Sequence, residues 1–187
     1  MIFALRFRVG WLVAVAVGLA MPSLRAHRPD ECLQAALIDV GPEQVRVFLS
    51  MTPGTEVAAR FKAMVDADGN GVVTEHESAV YATNVVQQLT LQTDGGERRL
   101  ELKAFRFPEW DTVHAGVGTL QIEAEAKVPA WTNGVHGLRF ENRHLTNLSV
   151  YVAAALQPES PRIVIGRQKR DESQAIIDIR VTVGAGR

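Results

Sequence analysis

The sequence predicts a mainly β fold, an antiparallel two-sheet sandwich interrupted once by a helix-loop-helix insertion at about residues 55–88. Three observations carry this reading. Several segments alternate apolar and polar residues with period two, the mark of strands with one buried face. Turn signals separate these segments. One stretch alone shifts its apolar spacing to near 3.6, the period of a helix.

In chain order, Val45, Val47, Leu49 and Met51 alternate first, after the turn signal Gly41-Pro42. Residues 55–65 then place Val57, Ala58, Phe61, Met64 and Val65 at helical spacing, and residues 74–88 do so with Ala79, Val80, Ala82, Val85 and Val86. Val57, Phe61, Val65 and Val80 are expected to face the sheets. Asp94-Gly95-Gly96 is a turn, and Leu100, Leu102 and Ala104 resume the alternation. Residues 119–128 are the clearest strand, with every odd position polar and every even one apolar. After Asn133-Gly134 come the β-branched runs 148–152 and 163–165, and 177–183 alternates again at the C-terminus. Residues 167–172, Arg-Gln-Lys-Arg-Asp-Glu, are expected as a solvated hairpin turn. Roughly seven or eight short strands at this spacing point to a sandwich of immunoglobulin-like kind, with a barrel as the alternative.

The first residues differ from the rest. Arg6 and Arg8 precede an apolar run over 9–21, and Pro22-Ser23-Leu24-Arg25-Ala26 follows. A positive start, a short apolar core and a small terminal residue form the pattern of a secretory signal peptide. Roughly 13 apolar residues fall short of the about 20 that a membrane span needs. The expected organisation is a signal peptide over 1–26 and a single domain over 27–187, secreted or periplasmic, with no stable membrane span after cleavage. Cleavage removes Arg6, Arg8 and Arg25 from the 20 basic residues, leaving 17 against 21 acidic. That mild acidity argues against nucleic acid as a partner, since such binders carry a basic excess. Cys32 is the only cysteine, so the chain has no internal disulfide and Cys32 is expected as a partly buried free thiol.

Between the two helical segments lies Asp66-Ala67-Asp68-Gly69-Asn70-Gly71-Val72-Val73-Thr74-Glu75-His76-Glu77. Calcium is a hard cation that takes about six to eight oxygens, and a 12-residue loop can wrap it from positions 1, 3, 5, 7, 9 and 12. Those positions are Asp66, Asp68, Asn70, Val72, Thr74 and Glu77. Asp66, Asp68 and Asn70 offer side-chain oxygens, and Val72 offers its backbone carbonyl. Thr74 offers its hydroxyl, directly or through a water, and Glu77 can reach back with both carboxylate oxygens. Gly71 stands at position 6, where a sharp turn asks for positive φ. Val73, at position 8, is apolar as in loops that pair through a small β-bridge. An acidic solvent loop that opens a helix with a Thr74–Glu77 capping box would explain only part of this match. His76 is expected to point outward.

Loop and flanks together resemble the EF-hand superfamily. The start of the mature chain, His27-Arg28-Pro29-Asp30-Glu31 and Leu33-Gln34-Ala35, with Thr52-Pro53-Gly54, the single loop and Asn142-Arg143-His144, is similar to small exported bacterial EF-hand domain-containing proteins of unassigned role. A looser similarity is to extracytoplasmic regions of nickel-permease-like accessory membrane proteins. The resemblance implies calcium as the bound ion and a protein partner outside the cytoplasm. The remaining histidines lack zinc-ligand spacing, and no nucleophile, phosphate-loop or paired-carboxylate motif is present. The expected function is therefore calcium binding in an exported structural or partner-binding module rather than catalysis. The alternative is an accessory domain of a metal-transport or other membrane system, with calcium only regulatory.

Overall fold

The alternating segments form strands because each can bury one face, and the computed structural model, which describes residues 28–184, arranges them in two sheets. The signal peptide expected over 1–26 and the mature start at His27 lie outside the described residues. In order, the elements are β1 (Cys32–Val40), β2 (Gln44–Pro53), α1 (Ala58–Val65), α2 (Glu75–Val86), β3 (Leu89–Thr93), β4 (Gly96–Arg98), β5 (Glu101–Arg106), α3 (Trp110–His114), β6 (Leu120–Lys127), β7 (Gly134–Asn142), β8 (Ser149–Ala155), β9 (Ile163–Arg170) and β10 (Ile176–Val183). One sheet runs β5-β6-β2-β1-β8 and the other β4-β3-β7-β10-β9. All pairings are antiparallel except β1 with β8, which is parallel. No helix among the described residues is long and apolar enough to cross a membrane.

Both sheets contribute to one core. Ile38, Val47, Leu49 and Leu120 from the first sheet and Leu91, Leu138, Phe140 and Ile177 from the second are almost wholly buried in the same cluster. Each such side chain stabilises the fold by about 1.5–3 kcal/mol relative to exposure. Among the described residues ten strands form where seven or eight were expected. Three of those not named from the sequence, β1, β4 and β7, lack the simple pattern. β1 buries the polar Gln34 and turns the apolar Leu37 outward, β7 opens on Gly134-Val135-His136-Gly137, and β4 has only three residues. The Asp94-Gly95 turn does join β3 to β4, with φ of 49° and 78° at its two residues. Positive φ at both positions matches the right-handed twist of a tight hairpin.

Residues 167–170, expected in a solvated turn, belong to β9. Their side chains divide between two tasks. Gln168 and Arg170 reach β8, where Gln168 Oε1 accepts from Ala155 N–H at 3.1 Å and Arg170 Nε–H donates to the Ala153 carbonyl. The outer edges of the two sheets are thereby fastened to each other.

The helical segments sit between β2 and β3. Gly54 starts this excursion because the chain leaves β2 against the N-terminal segment: a Cβ there would lie 2.3 Å from the Pro29 carbonyl oxygen. α1 buries Ala58, Phe61 and Val65, and α2 buries Ser78, Tyr81, Ala82, Val85 and Val86. Val57 is also buried, as expected, but Val80 is 44% exposed. It lies one residue, about 100° of helix rotation, from Tyr81, which takes the inward position instead. Phe61 meets Tyr81 edge-on at 5.5 Å between ring centroids and Trp110 of α3 at 6.2 Å, and Phe107 adds a further edge contact on Tyr81 at 6.1 Å.

A polar cluster extends this contact into the sheets. The Tyr81 hydroxyl lies 2.9 Å from His144 Nε2, and His144 is only 4% exposed. His144 N–H donates to Asn142 Oδ1, Asn142 Nδ2 donates to Gln34 Oε1, and Gln34 Nε2 donates to the His144 carbonyl, all at 2.8–2.9 Å. Tyr151 of β8 donates to the same carbonyl at 2.7 Å. Asn142-Arg143-His144 is thus split. Arg143 is exposed and ion-pairs with Glu141 as a loop arginine should, while its two neighbours are buried. Cys32 is fully buried rather than partly so, and burial pushes its thiol up to about 12.

Candidate metal centre

Residues 66–77 join the end of α1 to the start of α2, and each loop position has a local reason for its shape. Gly69 and Gly71 take φ of 70° and 86°. A Cβ at Gly71 would meet nothing within 4 Å, so glycine answers a backbone demand there rather than a spatial one. Asp68 Oδ1 accepts from Asn70 N–H at 3.0 Å, and Asn70 Oδ1 accepts from Val72 N–H at 2.7 Å. These short-range bonds coil the polar side chains inward along the loop. Thr74 caps α2: its hydroxyl accepts from Glu77 N–H, and the Glu77 carboxylate accepts from Thr74 N–H at 2.8 Å.

The arrangement gathers three carboxylates. Asp66, Asp68 and Glu77 each offer an oxygen within 4.8 Å of the others. Asp66 is 9% exposed; its Oδ2 accepts from Gly71 N–H at 2.8 Å, while its buried Oδ1 has no hydrogen-bond partner among the described residues. A buried carboxylate oxygen without a donor is costly. Glu77 Oε1 accepts from Ala67 N–H at 2.9 Å, so the last loop position reaches back to the first turn. Hydrogen bonds from Thr74, and then from Asp68 and Ala67, hold the Glu77 carboxyl below the ordinary carboxylate range. It is anionic at neutral pH and presents hard oxygen of the kind calcium selects.

Of the six expected ligand positions, Asp66, Asp68 and Glu77 converge directly. Asn70 is tied to Asp68 through Nδ2 at 2.7 Å, and Thr74 is tied to Glu77 through its hydroxyl at 2.8 Å. Val72 stands at the outer lip with a 66% exposed side chain, which suits a position that contributes only its carbonyl. His76 is exposed. Val73 packs partly buried against the core rather than forming a strand with a second loop. Lys62 escaped the sequence reading. It sits one helical turn before Asp66, and its ammonium donates to the Gly71 carbonyl at 2.6 Å while lying 6.0 Å from the Trp110 ring centre. The signal was a basic residue in the last turn of α1, where it meets the carbonyl-rich end of the helix.

Compared with known proteins, the chain is matched by no family model, no curated protein and no solved structure.

Proposed function

We propose that residues 66–77 are a single EF-hand-type calcium loop, set in an exported structural or partner-binding module of immunoglobulin-like sandwich kind. One observation carries the reading. The buried, unpartnered Asp66 Oδ1 belongs to the same three-carboxylate group as Asp68 and Glu77, so a cation would complete what the protein leaves unsatisfied. Asp66, Asp68, Asn70, the Val72 carbonyl, Thr74 and Glu77 are the ligands in this reading. A site with so many protein oxygens favours calcium over magnesium, which keeps its waters and demands a tight octahedron. A lone hand has to bury its helices elsewhere, and the burial of Phe61, Val65 and Tyr81 supports the two-sheet body as that surface. Calcium then fixes the insertion against the sheets.

Calorimetric titration of the purified protein with calcium tests the proposal. The expected dissociation constant is on the order of 10⁻⁴–10⁻⁵ M, in the range of extracellular and weaker sensor sites. At a hundredfold excess over that constant, calcium should stabilise the fold by about 2.7 kcal/mol, read as a rise in melting temperature. Glu77→Gln should lose most of the rise. Gln at this place still completes the capping box, so the change isolates the carboxylate. Asp66→Asn should behave alike, since the amide oxygen can still accept from Gly71. A full calcium shift retained by Glu77→Gln would place the site elsewhere.

A further inference from the structure

The outer face of the second sheet carries a concavity of about 620 Å³ with a concentrated positive charge. Its basic lining is Arg139 of β7, Arg180 of β10, and Arg167 and Lys169 of β9, against a single carboxylate, Asp178. Arg139 holds Asp178 with two hydrogen bonds of 2.9 and 3.1 Å. Arg167, Lys169 and Arg180 are exposed and have no ion pair or hydrogen bond from their side chains among the described residues. The chain as a whole has a formal charge of −1, so this local excess is set against the background.

The fold builds the feature by a register slip. Along β10, Ile179 is opposite Gln168 but Val181 is opposite Ile165, so Arg180 faces two residues of β9, Gly166 and Arg167. One extra residue reverses which side chains point outward. Without it, strict alternation from Ile165 would send Arg167 inward and Gln168 out. With it, Arg167 and Lys169 join Arg180 on the outer face, and Gln168 turns in to reach Ala155. Two glycines then shape the hollow. A Cβ at Gly166 would sit 3.6 Å from Arg180 Cβ and Cγ, so the arginine stem lies along β9. Across β10, Arg180 is paired with Gly137, where a Cβ would meet nothing within 4 Å, and this bare strand position is the floor.

We propose that this concavity docks an acidic peptide segment of a partner protein. Four basic side chains against one carboxylate make the lining complementary to an acidic segment. The depression is open and spans β7, β10 and β9, so an extended segment of several residues can lie across it. Val135, 66% exposed on the lining, offers apolar contact that a peptide uses and free phosphate does not. Unpaired arginines take carboxylates in bidentate fashion. This site is distinct from residues 66–77 and does not depend on calcium binding there.

Fluorescence anisotropy with labelled poly-L-glutamate at low salt tests the proposal. The expected result is saturable binding that weakens with added salt. The double substitution Arg167→Gln/Arg180→Gln should weaken it about tenfold, a fair sum for two exposed charge pairs. Gly137→Val, which removes no charge but fills the floor, should weaken it as well. Arg60→Gln, an exposed basic residue on α1, should leave it unchanged. Unaltered melting temperatures for all variants would show that the fold survives. Equal binding by the double variant would overturn the proposal. So would full competition by inorganic phosphate at matched charge, or charge-dependent binding to phosphatidylglycerol vesicles without binding to poly-L-glutamate.

Discussion

Phe61→Ala should destabilise the protein by about 3–5 kcal/mol, the usual cost of emptying a buried phenylalanine site. Phe61 is 2% exposed and touches Tyr81 of α2 and Trp110 of α3. That helix has eight residues and no side-chain cap at its start. A helix so short is not stable in water by itself, so packing has to hold it. A typical domain has only about 5–15 kcal/mol of net stability, so this one change would consume a large share. Urea denaturation would show a lower midpoint, and near-ultraviolet circular dichroism would show loss of the aromatic signal around Tyr81 and Trp110. The strand signal should persist in the folded baseline, because most of the shared core, Ile38, Leu49, Leu138 and Ile177 among it, comes from the strands themselves. A loss under about 1 kcal/mol would mean that α1 is docked by other contacts.

The second large effect is acid lability centred on His144. Burial lowers its pKa to about 4, against about 6.5 in the unfolded chain. Its neighbours suit a neutral ring. Gln88 Oε1, 3.3 Å from Nδ1, can only accept, which leaves Nε2 to accept from the Tyr81 hydroxyl. Between the two pKa values the unfolded chain binds a proton that the folded one refuses. The contribution of His144 is therefore whole above about pH 6.5 and is lost as pH falls from 6.5 to 4. The slope approaches 1.4 kcal/mol per pH unit and the total is about 3 kcal/mol. Other titrating groups act in different windows. Asp94, Glu141 and Asp171 are held below ordinary carboxylate values, so their contributions fade as pH falls through the acidic end. His136 is raised by Asp94, so its contribution is present below 6.5 and fades as pH rises above it. Melting temperatures from pH 7 down to 4.5 should therefore drop for the native chain. His144→Gln should start lower and flatten that slope; an unchanged slope would assign the acid lability to other groups.

What the sequence made legible follows from where the physics is local. The strand over 119–128 shows because its outward side chains are polar and its inward ones are not, and β6 appears within that range. The loop over 66–77 shows because spacing, turn glycine and cap are all set within twelve residues of chain. The two-sheet arrangement follows from strand number and patterning, although four of the ten strands were hidden. β1 hid because Gln34 is a polar residue on the buried face and Leu37 an apolar one outside. Val80 and Tyr81 could not be ranked by hydrophobicity alone, since either could lead the inward stripe of α2. The burial of His144 could not be read locally because its partners, Gln34 and Tyr81, are more than sixty positions away. The slip at Gly166–Arg167 was hidden for a deeper reason: it is a property of two strands together, and only the pairing with β10 reveals which arginines face out.

The fastening between β8 and β9 has a further consequence, for the protein among its own copies. β8 reads Ser-Val-Tyr-Val-Ala-Ala-Ala: seven residues with no charge and no proline, and with Val150 and Val152 exposed on its outer side. A bare strand edge of that composition is a template on which other chains add as new strands. Gln168 and Arg170 occupy the Ala155 N–H and the Ala153 carbonyl, backbone groups that an incoming strand would have to claim. Partial opening of β9 would thus do more than loosen one sheet. It would uncover in each molecule at once an edge open to strand addition, which Gln168 and Arg170 cover while the two sheet edges stay fastened.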